Sequence, residues 1–167
     1  MADPNFRRTV VLVCEHTTSG SFGLVLNRPT GLSLSQATDE TFTFDAELWT
    51  GGPVQPDTLH YLHPYADLEG ALPVIDGVFW GGEFEDLRAG LEADRLDTEQ
   101  VRFFVGYSGW GEGQLDAEVD EGAWIVLDGS AEMVFSDGGD GLWRQVLRRL
   151  GGEYALLSTF PDDPRMN

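Results

Sequence analysis

Residues 9–14, TVVLVC, form an apolar, largely β-branched run with almost no polar alternation. A strand exposed on one side alternates with period two, so this run predicts a strand covered on both faces. A polar, turn-forming stretch, EHTTSGS, leads to a second apolar run, FGLVL at 22–26. The pair predicts a hairpin or a wider turn, and Pro29 ends its second strand because proline cannot donate to a ladder. Residues 58–63, 77–80, 101–105 and 123–127 predict further strands, with VRFFV at 101–105 the clearest. Residues 31–45 read as loop with a short helical turn, and GGPV at 51–54 as a tight turn. Phe84, Leu87 and Leu91 recur at helical spacing behind acidic first-turn residues. A second amphipathic helix carries Leu142, Val146, Leu147 and Leu150 on one side, basic residues in its last turn and Gly151 and Gly152 as its stop. Strands and helices interleave without regular βαβ spacing, which predicts the α+β class over a doubly wound sheet.

Hydrophobic residues make up 41% of the 167 and charged residues 23%, so a globular chain with one domain over 1–167 is expected. No apolar run approaches the ~20 residues of a membrane span. The start, MADPNFRR, lacks the apolar stretch of a secretory signal, so a cytoplasmic location is expected. Cys14 is the lone cysteine and excludes an internal disulfide. The ten basic residues are all arginine against 29 acids, a net charge of −19. Direct nucleic-acid binding is disfavoured, because that affinity comes mostly from basic side chains neutralising phosphates. A proteome adapted to high internal salt is a second source of such acidity.

Cys14 and His16 are two apart. On a continuing strand their side chains share a face roughly 7 Å apart, where an imidazolium stabilises a thiolate. The competing reading is a buried cysteine acting as a small hydrophobe. His60 and His63 complete the stock of soft metal ligands, yet three apart on a strand they point oppositely, so neither metal nor cofactor is expected. In FVGYSGWGEGQLDAE, residues 104–118, a glycine-rich loop runs into a helix and could present N–H groups to an anion. It lacks the Gly-Lys-Ser/Thr ending of a phosphate loop and the dinucleotide spacing, and Glu112 opposes phosphate. Packing is the preferred reading, with glycines passing close to Tyr107 and Trp110, whose rings plug one end of the sheet. Gln114 and Glu118, four apart on the following helix, read as a solvated face. No Ser-His-Asp set is marked by a local elbow motif. Arg144, Arg148 and Arg149 form the one basic cluster, and the helix dipole accounts for two of them.

The motifs DPNFRRTVVLVCEH, GLVLNRP, GGPV, LHYLH, RFFVGYSGWGEGQLDAE, GAW and DDPRMN, in this order over nearly the whole chain, resemble the YqgE/AlgH family of small bacterial proteins. That resemblance implies a branched mixed sheet curling into a pseudo-barrel with flanking helices. It implies no catalytic residue, and one branch of the family is named as a transcriptional regulator of alginate production. Family members usually begin with a strand and loop before DPNF, so the edge beside residues 9–14 is expected to lack a strand here. The functional expectation is a non-enzymatic regulatory or interaction protein with a protein partner or small ligand. Its surface is placed around Cys14, His16, Asn27, Arg28, Tyr107, Trp110 and Gln114. A cysteine-dependent redox or hydrolytic activity centred on Cys14 and His16 is the alternative, and neither the oligomeric state nor a substrate is legible.

Overall fold

The structure, a computed structural model, describes residues 3–139 and 141–161. Its eight-stranded sheet is organised around one long strand. β1 (Val11–Thr17) and β2 (Gly20–Val25) form the predicted hairpin. β3 (Pro29–Ser33) pairs with β4 (Glu47–Thr50), and β5 (Val54–His63) is followed by β6 (Leu72–Ile75) and β7 (Val78–Trp80). β8 (Arg102–Gly111) joins them. One edge of β8 pairs with β5; the other takes β4 in parallel through residues 103–105 and then β2 antiparallel through 108–111. Two partners in succession along one edge make the sheet branch. The order β1-β2-β8-β5-β7-β6 curls until β1 and β6 approach each other, nearly closing a barrel.

Period-two geometry explains why VRFFV has no polar alternation. Phe104 faces one core with Leu24, Leu62 and Trp49, whereas Phe103 faces a second core with Leu48, Tyr61 and Leu87. Both sides of β8 are therefore covered. Helix α1 (Leu34–Ala37) starts at a capping box of Ser33 and Gln36, and α2 (Phe84–Glu92) lays Leu87 and Leu91 on the second core. Helices α3 (Gln114–Asp120) and α4 (Ala131–Val134) follow β8. α5 (Gly141–Leu150) inserts Leu142 and Val146 into the first core, and α6 (Gly152–Leu157) follows directly.

At the branch point three backbones pass too closely for side chains. Gly106 has φ 67°, and a Cβ there would sit 2.6 Å from the Gly52 carbonyl oxygen. The glycines of GGPV and of the β8 segment thus serve one junction, where Gly51 accepts from the Val25 N–H and donates to the Val105 carbonyl.

The expected strand over 123–127 does not form. Its side chains are spent singly: Trp124 and Leu127 pack inward while Ile125 and Val126 are exposed. Pro29 opens β3 rather than closing the previous strand, a position where its missing N–H costs no ladder bond.

Candidate functional site

A register shift between Val13 and Glu15 separates Cys14 from His16 in environment. The Cys14 side chain packs against the first core, its thiol 3.6 Å from the Leu12 carbonyl, and burial pushes its pKa up to about 12. His16 lies outside. Its Nδ1 is 2.6 Å from Ser21 Oγ and its Nε2 is 3.3 Å from Asp116 Oδ1. The fold therefore builds a Ser–His–Asp chain that no local motif announced, tying the β1–β2 hairpin to α3. The imidazole is 47% and the carboxylate 67% exposed, so the chain lacks the dry surroundings in which such a relay strengthens a nucleophile.

The other two histidines are structural. Nε2 of His63 donates to the Gly81 carbonyl at 2.7 Å, while Nδ1 accepts from the Tyr65 N–H, a pattern that only the neutral ring satisfies. His63 has no exposed surface, and that burial lowers its pKa despite the opposing pull of the Gly81 bond. His60 sits among Phe22, Trp80 and Tyr107. Among the described residues no three His, Cys, Asp or Glu side chains group to hold a metal ion.

In the glycine-rich stretch, Tyr107 and Trp110 part company. Tyr107 packs on Phe22 with ring centroids 4.9 Å apart, whereas Trp110 joins Phe6 and Trp124 in a separate aromatic cluster. Glu118 is the centre of that cluster. Its Oε2 accepts from the indole N–H groups of Trp110 (3.1 Å) and Trp124 (2.8 Å), and its Oε1 accepts from Gln114 at 3.0 Å. Gln114 in turn accepts from the Gly111 N–H. Burial raises the Glu118 pKa, but the donors of Trp124, Gln114 and Trp110 together outweigh it and hold the carboxyl below its ordinary value. Gln114 and Glu118 thus form a clasp that closes the glycine loop; Gln114 is exposed as expected, whereas Glu118 is half-buried, a correction to the solvated face expected of it. Indole N–H groups are obligate donors, so two tryptophans flanking an acid were the overlooked signal.

Asn27 is wholly buried, its Oδ1 accepting from the Val10 N–H and its Nδ2 donating to the Arg8 carbonyl, so it cannot contact a ligand directly. What it does is fix Arg8, whose backbone is left-handed at φ 55°. Arg8, Arg7, Arg28 and Arg144 then surround one cavity of about 490 Å³, with Trp143 and Pro4. The Arg8 guanidinium lies 4.8 Å from the Trp143 ring centroid. Burial, then the nearby Arg144 and Arg7 charges, lower the Arg8 pKa. Arg7, Arg8 and Trp143 also line an adjoining apolar cavity of about 270 Å³ with Val11, Ile125 and Leu150.

The AlgH-like family profile matches residues 1–155. The chain belongs to the YqgE/AlgH family. A UPF0301 protein of Chlorobaculum tepidum is 44% identical over 168 residues, covering 100% of this chain and 90% of that protein. One of Cytophaga hutchinsonii is 41% identical, covering 100% and 93%. The solution structure of the AlgH protein from Pseudomonas aeruginosa superposes with a TM-score of 0.74 at 29% identity, covering 98% of this chain and 89% of that one. A crystal structure of a Corynebacterium diphtheriae protein gives 0.76 at 22% identity, with 96% and 86% covered, which shows the shared fold alone.

Within this YqgE/AlgH chain the grouping of basic residues differs from the sequence expectation. Arg149 pairs with Glu132 at 3.5 Å, whereas Arg144 leaves its helical neighbours and joins arginines from the N-terminal turn and the β2–β3 link. Of the expected surface residues, Arg28 lies in this cluster and Cys14, Asn27 and Tyr107 belong to packing. Trp110 contacts Phe6, which adjoins Arg7 and Arg8.

Proposed function

We propose that this chain is a cytoplasmic, non-enzymatic regulatory or interaction protein that holds a partner or small ligand on the face built by residues 4–11, Arg28 and α5. One observation carries the reading: an arginine-lined cavity and an apolar one adjoin and share Arg7, Arg8 and Trp143. Such a pair offers both charge and greasy surface to one ligand, on elements braced by the sheet. The cysteine-centred alternative has weaker support, because a thiol desolvated and raised to about 12 is the opposite of an activated one. Direct duplex binding is opposed by the net charge of −19.

Photo-reactive benzoylphenylalanine placed at position 143, compared with the same group at position 94 after α2, tests the face in cells. Discrete adducts at 143 and not at 94, read by intact mass, support the reading. Equal patterns at both positions, or none at 143, reject it. Iodoacetamide labelling of Cys14 against pH tests the alternative. The expected midpoint lies far above the ordinary thiol value of about 8.5, and a midpoint below that value would reinstate the cysteine.

A further inference from the structure

We propose that the cavity lined by Arg7, Arg8, Arg28 and Arg144 is a binding site for a small phosphate-bearing anion. This inference rests on the reading above and names the ligand class of that face. Three features carry it together. The first is convergence: three separated stretches of a chain of net charge −19 bring four of its ten basic side chains around one cavity of about 490 Å³. Like charges do not assemble by default on an acidic protein.

The second feature is orientation. Arg8 Nη2 donates to the carbonyls of Phe160 (3.1 Å) and Pro161 (2.7 Å), Arg144 Nη1 to that of Ser158 (2.7 Å), and Arg28 Nη2 to that of Arg7. Each of the four arginines is engaged within the chain, so an entering anion takes the place of partners these guanidinium groups already hold. The third is backbone cost. Among the described residues Arg8 is one of three non-glycine residues with positive φ, and a wholly buried Asn27 holds its carbonyl while accepting from the Val10 N–H two residues on. A non-glycine residue held left-handed is strained, and such outliers concentrate at ligand clamps.

The residue type narrows the ligand. A planar guanidinium matches two oxygens of a phosphate at once, which an ammonium cannot do. The acidic remainder of the surface repels an extended polyanion, whereas a single phosphate group needs only the local field of the cavity. An organic moiety carried by that phosphate would extend towards the adjoining apolar cavity past Trp143.

Isothermal calorimetry on the full chain, at ionic strength held constant with sodium chloride, tests the assignment with two probes, inorganic pyrophosphate and adenosine monophosphate. Saturable binding of either probe, weakened about tenfold or more in Arg28→Gln and unchanged in Arg149→Gln, is expected. Arg28→Lys retains the charge and loses the fork, so it keeps the fold comparison open should Arg28→Gln unfold; it too is expected to bind more weakly. Binding of both probes points to the phosphate group itself, and binding of adenosine monophosphate alone to a phosphate recognised with its organic part. No binding of either, equal binding by Arg28→Lys and wild type, or Arg28-dependent binding of a 20-base-pair duplex in their place overturns the proposal. The cross-linking result at position 143 stands independently, so the loss of the phosphate site and the loss of the binding face are told apart.

Discussion

Asn27 answers for two backbone groups at once, the Val10 N–H at 2.8 Å and the Arg8 carbonyl at 2.9 Å. Replacing it by alanine orphans both inside the protein. Asn27→Ala is expected to lower stability by about 2–4 kcal/mol in urea denaturation followed by circular dichroism, and a loss below about 0.5 kcal/mol would show that water replaces the amide. Glu118 is a second such residue. Its carboxyl is held below the ordinary value, so its contribution is complete above that value and is lost as pH falls through the lowered one. Glu118→Ala should therefore lose about 1–3 kcal/mol at neutral pH and less at pH 3, with tryptophan emission shifted to the red. A loss independent of pH would show that the clasp does not depend on the charge.

Among elements, β8 decides the architecture, and its sequence was only half readable. The apolar run VRFFV marked a strand, because hydrophobicity is a property of single side chains. Its branching was invisible, because it depends on Gly51, Gly52 and Gly106 meeting from distant parts of the chain. Gly106→Ala is expected to cost at least about 2 kcal/mol, since both the positive φ and the 2.6 Å approach to Gly52 oppose a Cβ. Retention of wild-type stability would place the packing strain elsewhere. The bulge at Cys14 was equally hidden: spacing alone put Cys14 and His16 on one face, and a shift of register undid it. The stretch AWIVL shows the converse error, since strand propensity depends on the packing a segment finds and does not by itself make a ladder.

For the whole molecule, the charge of −19 makes self-repulsion a general term, and salt screens it. The melting temperature is accordingly expected to rise from 20 mM to 500 mM sodium chloride, whereas a flat response would mean that the acids are locally compensated. On the acid side, His63 and His60 both have pKa values lowered from 6.5, chiefly by burial. Their stabilising contribution is complete above 6.5 and falls as pH drops through the lowered values, because the unfolded chain takes up the proton first. A His63→Gln variant should show a shallower loss of stability between pH 6.5 and 4.5 in thermal melts, and an unchanged slope would assign that loss to the carboxylates. The sequence by itself determined the β1–β2 hairpin, the amphipathic helices and the net charge of −19, all of which follow from the side chains of short stretches or from their sum, whereas the run at 9–14, expected to be covered on both faces, lies at the end of the sheet with Val13 exposed. Only the tertiary structure decided that Cys14 packs against the core, that Glu118 clasps two tryptophans and that four arginines share a cavity. Those outcomes depend on which distant segments a branched, curling sheet brings within hydrogen-bonding range, a distance that spacing along the chain does not encode.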